Sequence, residues 1–399
     1  MKYKRKILSN GMTVVFEKRD LPIVAIGFAV KQGGVNEGED EKGISHFIEH
    51  MLYKGTKNRS YKQIADEIEK NGGRLNGLTD ERITAFYCKM PSNKLKIGLN
   101  VLSDLVQNPK FDPKELEKER KVIYEEIKMR RDRPNVYVMD EIQSFLYKKP
   151  FGLNLIGSEK TMSKVRRDVM IEKFRQVYTP ENMVLVVVGD ADFNYFCDFV
   201  EKNFKKKSGK ISTFDIVKKS ESKIEKRKGI DQVNLVLAFH CPLLGEKGSY
   251  AAKVLSVLMG GGMSSRLWAE IREKRNMAYV VSCDSTINRD YSYCVVYVGT
   301  KTGNEEKVKK LILEEFEKAS KDLTEKELDE VKEQIIGNYH ISMEDSVQQM
   351  ENLLVCERND CVKEYYEFEE HIKKVKLEDV KSIAKSVKNN YSFFALVPE

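Results

Sequence analysis

The feature that most limits what this chain can fold into is an order of elements that runs through once and then begins again. In the first pass, strand-like runs at Lys4–Leu8 and Thr13–Lys18 flank Asn10-Gly11, a pair that favours a tight hairpin. A third strand, Val24–Val30, ends at Gly33-Gly34. Helices are predicted over Ile44–Tyr53 and over Tyr61–Asn71, the second bracketed by Ser60 as N-cap and Gly72 as stop. Strands at Arg74–Leu78 and Ile83–Met90, helices at Asn93–Gln107 and Lys114–Arg131, and the buried strand in ENMVLVVVGD complete the pass. The stretch from Lys205 to Lys228 is charged, Ser/Lys-rich and without sustained apolar period, which marks a boundary.

After it the order resumes. A strand at Val233–Phe239 precedes a helix near Tyr250–Met259 and a run of three glycines. Another helix at Ser264–Lys274 and strands at Ala278–Ser285 and Tyr291–Val298 follow, then long helices, then a strand at Ser392–Val397 that mirrors Val184–Val188. The repeat lies in element order rather than residue identity. We expect an α+β chain of two homologous α/β-sandwich domains, each a mostly antiparallel sheet packed with helices. Residues 1–205 and 229–399 would be the domains, and 206–228 the linker.

Composition narrows the function classes. The formal charge of +7 is spread along the chain, and no segment combines a dense basic cluster with interleaved aromatics, so no nucleic-acid partner is expected. The seven cysteines are odd in number and contain no CxxC pair, which suits a reducing compartment and argues against a disulfide framework or a cysteine-rich zinc site. The N-terminal residues are basic but lack the apolar core of a signal peptide, and the run Val184–Val188 is far too short to cross a bilayer. A cytoplasmic protein without a membrane partner is the expectation.

Two of the five histidines fall in His46–Phe47–Ile48–Glu49–His50. At about 100° per residue, Ile44, Phe47, Ile48, Met51 and Leu52 form one apolar stripe, and His46, Glu49, His50 and Tyr53 form a polar one on the other side. Histidines at i and i+4 bring both imidazoles within reach of one ion, and zinc accepts such a pair. Glu49 is adjacent to them without having to be a ligand, so it is free to take and pass on a proton. The competing reading is an ordinary helix whose polar stripe faces water.

A catalytic zinc usually has three protein ligands and one open position. On the helix ELEKERKVIYEEIKMRRDRP the apolar arc includes Leu116, Val122, Ile123 and Met129. Glu119 and Glu126, seven apart and so within about 20° of each other, fall inside that arc. A carboxylate aimed at a core needs a partner, because burying it alone is costly. A cation or metal is the obvious one. An exposed, charged helix is the alternative.

The reversed motif His-x-x-Glu-His is a peptidase signature, and with Glu119 and Glu126 behind it the chain resembles the pitrilysin/insulysin family of zinc peptidases. It is most similar to the short-chain branch that includes mitochondrial processing peptidase. The blocks SNGMTVVFEK, GISHFIEHMLYKGT, ERKVIYEEI, ENMVLVVVGD and GGGMSSRLWAEIREKRNMAY look like family blocks in family order, so the resemblance covers nearly the whole chain. It implies that His46, His50 and Glu126 hold zinc, that Glu49 is the general base, and that Glu119 orients a ligand imidazole. It also implies that Arg272 grips substrate oxygens and Tyr279 donates to the developing oxyanion. The residues alone suggest a surface arginine and a core tyrosine. Asn76 would bind substrate backbone as its strand pairs with an extended peptide, although Gly77 stands where the family often has Ala.

Gly260, Gly261 and Gly262 precede a helix, as a phosphate cradle would, but no Lys or Thr completes a nucleotide motif. The resemblance places that loop along a peptide chamber. Relatives of this length pair two subunits, each half of a clamshell, so the resemblance implies a homodimer, or a heterodimer with a homologous subunit. It further implies a zinc endopeptidase of short or unfolded peptides. The other reading is a non-catalytic assembly or chaperone-like subunit of the same fold.

Overall fold

A computed structural model describes residues 3–399. The chain forms two compact units. The first comprises Met1–Ile127, Leu155–Asp215 and Ser342–Tyr365; the second comprises Lys128–Asn154, Ile216–Ile341 and Tyr366–Glu399.

In the first unit, β1 (Tyr3–Ile7), β2 (Thr13–Lys18), β3 (Ile23–Val30), β4 (Arg74–Thr79), β5 (Thr84–Pro91) and β6 (Met183–Gly189) form a six-stranded sheet in the order β1-β2-β6-β3-β5-β4. Asn10-Gly11 makes the expected turn between antiparallel β1 and β2, with Gly11 at φ 92°. β6 is buried along its full length, as its unbroken apolar run requires of a central strand. Alternate residues serve two faces. Ile26 and Phe28 of β3, with Leu185 and Val187 of β6, join the core formed with helices Ile44–Leu52 and Leu95–Gln107. The opposite face is covered by helix Ser346–Arg358, which packs on β3 and β6. Gly27 leaves the space that Met350 and Leu354 of that helix occupy. Gln349 donates to Glu17 at 2.7 Å, and Arg5 forms a bidentate pair with the buried Glu357, both bonds 2.7 Å.

The second unit repeats the plan. Its strands β7 (Ser222–Arg227), β8 (Val233–His240), β9 (Ala278–Ile287), β10 (Ser292–Thr300) and β11 (Ser392–Pro398) run β7-β11-β8-β10-β9. Apart from β1, the two sheets have the same order, and in each the first strand of that order lies parallel to the last strand in sequence, β2 to β6 and β7 to β11. The remaining pairings are antiparallel. Helix Pro134–Leu146 packs on β8 and β11.

Two expectations change. The units are not the contiguous halves 1–205 and 229–399. Pro134–Leu146, from the first half of the sequence, packs on the second sheet, and Ser346–Arg358, from the second half, packs on the first. The interval 206–228 is not wholly linker either, since its end is β7. Paired only with β11 among the described residues, β7 carries its Lys and Glu residues on an exposed edge where no apolar alternation is needed. The helix expected over Ser264–Lys274 is reduced to a π-helical turn at Trp268–Glu273.

Candidate metal centre

The site begins with helix Ile44–Leu52. Its predicted apolar stripe is the one that is buried: Ile44, Phe47, Ile48, Met51 and Leu52 are all enclosed. Gly43, at φ 94°, turns the chain into the helix but brings no capping side chain. Glu37 supplies the cap instead, its carboxylate accepting from Gly43 N at 2.8 Å and Ser45 N at 2.7 Å. Burial pushes the Glu37 carboxyl up, while buried Lys42 and these donors pull it back without cancelling the shift.

The helix presents His46 and His50 side by side, with their Nε2 atoms 3.2 Å apart. Glu126 Oε2 lies 3.5 Å from His46 Nε2 and 3.7 Å from His50 Nε2. The three atoms thus form a near-equilateral triangle. A tetrahedral zinc with ligand bonds of ~2.0–2.1 Å spaces its ligand atoms by roughly 3.3 Å, so two neutral imidazoles and one carboxylate fit this ion in spacing and in chemistry. Glu119 fixes the tautomer of one candidate ligand. Its Oε2 is 3.2 Å from His50 Nδ1, so the proton sits on Nδ1 and the Nε2 lone pair faces the triangle. Lys54 Nζ reaches the other Glu119 oxygen at 2.6 Å. Burial alone would raise the Glu119 carboxyl, but the donors His50 and Lys54 outweigh it and hold it below the usual carboxylate range. Of the expected apolar arc on helix Pro113–Asp132, Leu116 and Ile123 are buried with Glu119, whereas Val122 and Met129 are exposed.

Glu49 is not part of the triangle. Its Oε2 accepts from Thr79 Oγ1 at 2.5 Å, and burial raises its carboxyl above the usual range despite that donor and His50. Asn76 is exposed on β4, the outermost strand of its sheet, and its Oδ1 accepts from the next N–H, that of Gly77, at 2.9 Å. The missing Cβ at Gly77 has a local reason: a methyl there would overlap the Tyr53 hydroxyl.

Arg272, Tyr279 and the three glycines belong to the second unit. Arg272 stacks its guanidinium over Trp268, 4.0 Å from the ring centroid, with no carboxylate partner among the described residues. Tyr279 is 51% exposed on the edge strand β9, so it is not a core tyrosine. Gly260 and Gly261 pack directly against backbone, of Cys283 and of Val257 respectively, and Gly262 has φ 135°, so side chains are excluded at all three. His240, at the end of β8, meets Lys219 O at 3.0 Å.

Two family models match the chain: insulinase, peptidase family M16, over residues 13–159, and the peptidase M16 inactive domain over 164–335. An uncharacterised zinc protease of Bacillus subtilis, YmxG, is 32% identical over 87% of this chain and 86% of its own length. This chain belongs to peptidase family M16. An uncharacterised zinc protease of Rickettsia felis is also 32% identical, over 84% of the chain and 83% of its own length. A protease from Helicobacter pylori has the same fold, with a TM-score of 0.93 over the whole of both chains at 22% identity. The M16 model called inactive falls on the half without the histidine–glutamate triad; among the described residues, the only candidate ligand group is His46, His50 and Glu126. Three residues around the candidate site escaped the sequence. Thr79, Lys54 and Glu37 act through tertiary contacts, and no periodicity marks them.

Proposed function

We propose that this M16 chain is a zinc-dependent endopeptidase that cuts short or unfolded peptides. One observation carries the reading: three ligand atoms form a tetrahedral face while a fourth group, Glu49, stays off the triangle with a proton-accepting carboxylate. His46, His50 and Glu126 would hold zinc, which would supply Lewis acidity and lower the pKa of a water at the site to about 7. Glu49 takes the proton of the attacking water and returns it to the leaving amine, a role suited to a carboxyl that burial has raised above its ordinary value. Glu119 and Lys54 keep the His50 ring in its ligating tautomer. The unpaired edge of β4 offers main-chain groups to an extended substrate, with Asn76 beside them. Arg272, free of carboxylates, suits substrate oxygens, and exposed Tyr279 suits an oxyanion. The glycine run would let a peptide backbone approach closely. These second-unit groups act within a homodimer, or a pair with a homologous subunit, in a chamber that excludes folded proteins. Among the described residues no helix is long and apolar enough to cross a membrane.

Hydrolysis of a quenched peptide library by wild type and Glu49→Gln, with zinc content measured for both, tests the reading. Wild-type turnover with a zinc-loaded but inert Glu49→Gln is expected. Equal activity in the two refutes it, and full zinc with no wild-type turnover points to the non-catalytic subunit. Light scattering coupled to gel filtration gives the oligomeric state.

A further inference from the structure

Tyr53 closes helix Ile44–Leu52, three residues after His50, and its ring lies 5.7 Å from Phe86 against the core of the first unit. Its hydroxyl is enclosed and makes no hydrogen bond to any described residue. A buried hydroxyl without a partner costs about 1–3 kcal/mol, and phenylalanine would fill the same space without that cost. Such a group needs an explanation. Tyr178 carries a second enclosed hydroxyl without a partner, and both tyrosines sense the charge of Glu49. Only Tyr53 has its hydroxyl at Gly77. There the absent side chain is what admits the oxygen: a methyl on Gly77 would overlap Tyr53 Oη and stand 3.2 Å from Glu49 Oε1.

Tyr53 Oη and Glu49 Oε1 therefore border the same point in space. No hydrogen bond joins them directly, and they lie no farther apart than one water can bridge with two O–H···O bonds of ~2.8 Å. Glu49 Oε2 is held by Thr79; Oε1 has no hydrogen bond to a described residue. We propose that Tyr53 is a positioning residue for Glu49. Its hydroxyl, seated in the cradle of Gly77, holds Oε1 through one ordered water while Thr79 holds Oε2. The carboxylate is then fixed at both oxygens, which sets its plane and the lone pair it offers to the attacking water. The proposal rests on the reading of Glu49 as general base.

Tyr53→Phe in the full-length, zinc-loaded protein removes the hydroxyl and little else. A kcat roughly tenfold lower, with KM, zinc stoichiometry and thermal midpoint unchanged, is expected; a general loosening of the fold would move KM or zinc content as well. A kcat within twofold of wild type overturns the proposal, as does a loss accounted for by missing zinc. If Glu49→Gln keeps full activity, the general-base reading itself fails, whatever Tyr53→Phe does. A crystal structure of the wild-type protein that resolves ordered waters decides independently, even should the variant fail to fold. A water bonded to both Tyr53 Oη and Glu49 Oε1 is expected, and its absence overturns the proposal.

Discussion

Glu119 offers the most quantitative test of the metal centre. It is buried, its Oε2 faces His50 Nδ1 at 3.2 Å, and its Oε1 takes Lys54 Nζ at 2.6 Å. Loss of a carboxylate behind a metal-bound histidine typically lowers affinity ~10–100-fold, or about 1.4–2.8 kcal/mol at 1.4 kcal/mol per decade. The structure orders two substitutions within that range. In Glu119→Gln an amide oxygen can still accept from His50 Nδ1, so the charge is lost but the bond is not, and the low end, about tenfold, is expected. In Glu119→Ala the imidazole loses its partner and the Lys54 ammonium its counter-ion, so the high end, about a hundredfold, is expected. Lys54 acts only through Glu119. Lys54→Met should weaken zinc by a few-fold in the wild-type background and not at all in Glu119→Ala, a coupling that a double-mutant cycle isolates.

The assay is chelator competition on the full-length protein, read alongside the thermal midpoint of the metal-free form so that unfolding is not mistaken for weak binding. Equal zinc affinity in wild type, Gln and Ala would refute the role of Glu119. Additive losses for Lys54 and Glu119 would refute the relay. The pH dependence has a defined sign. The folded Glu119 carboxyl is held below its ordinary value of 4.5, so its stabilisation is present above that value and is lost as pH falls through the folded one. Glu119→Gln should therefore flatten the acid limb of a stability profile measured without metal.

Thr79→Val removes the donor on Glu49 Oε2 and so disfavours the charged form of a carboxyl already raised by burial; the acidic limb of kcat/KM should move up by as much as about one pH unit relative to wild type, and no movement would refute the contact. Glu37→Ala strips the cap from the metal-bearing helix and orphans two buried N–H groups at ~1–3 kcal/mol each; the denaturation midpoint of the metal-free protein should fall accordingly, and a loss under 1 kcal/mol would count against the cap. Because the folded Glu37 carboxyl lies above its ordinary 4.5, its contribution to stability is fully present below that value and is lost as pH rises through the folded value, so Glu37→Gln should gain on wild type across that interval.

How far the site could be read before the fold was known follows from what each residue depends on. His46, Glu49 and His50 are related by the period of a single helix, and Glu119 and Glu126 by two turns of another, so spacing and an anomalous face suffice. The pairing of those helices is tertiary, and only a carboxylate on an apolar arc hinted at it. Thr79 lies on β4, Lys54 just beyond the helix and Glu37 in a loop, and each acquires its role only when β4, helix Pro113–Asp132 and the loop close around the helix. The exposure of Val122 and Met129 has the same origin: the arc inferred from composition is wider than the face that the neighbouring elements cover. Tyr53 illustrates the converse error. Its polar tip placed it on the wet stripe, whereas the ring is packed into the core and only the geometry at Gly77 gives its hydroxyl a purpose.

The exchange of helices was the least legible feature, and it has a thermodynamic consequence. Helix Ser346–Arg358 reads as one of several late helices, with nothing local to assign it to the first sheet. Yet the face it covers is apolar: Val184, Val186 and Val188 of β6, all buried, lie outside the core on the sheet's other side, and Met350 and Leu354 pack into the space at Gly27. Burying five such side chains is worth about 1.5–3 kcal/mol each, together comparable to the ~5–15 kcal/mol that stabilises a typical domain. A fragment ending at Asp215 would contain every proposed zinc ligand and all six strands of the first sheet but not this helix. It should fail to unfold cooperatively in urea and should bind zinc weakly, whereas co-expression with residues 216–399 should restore both properties. A fragment 1–215 with a cooperative transition and wild-type zinc affinity would show that the helix is a passenger and that the contiguous halves, despite the exchange, are the folding units.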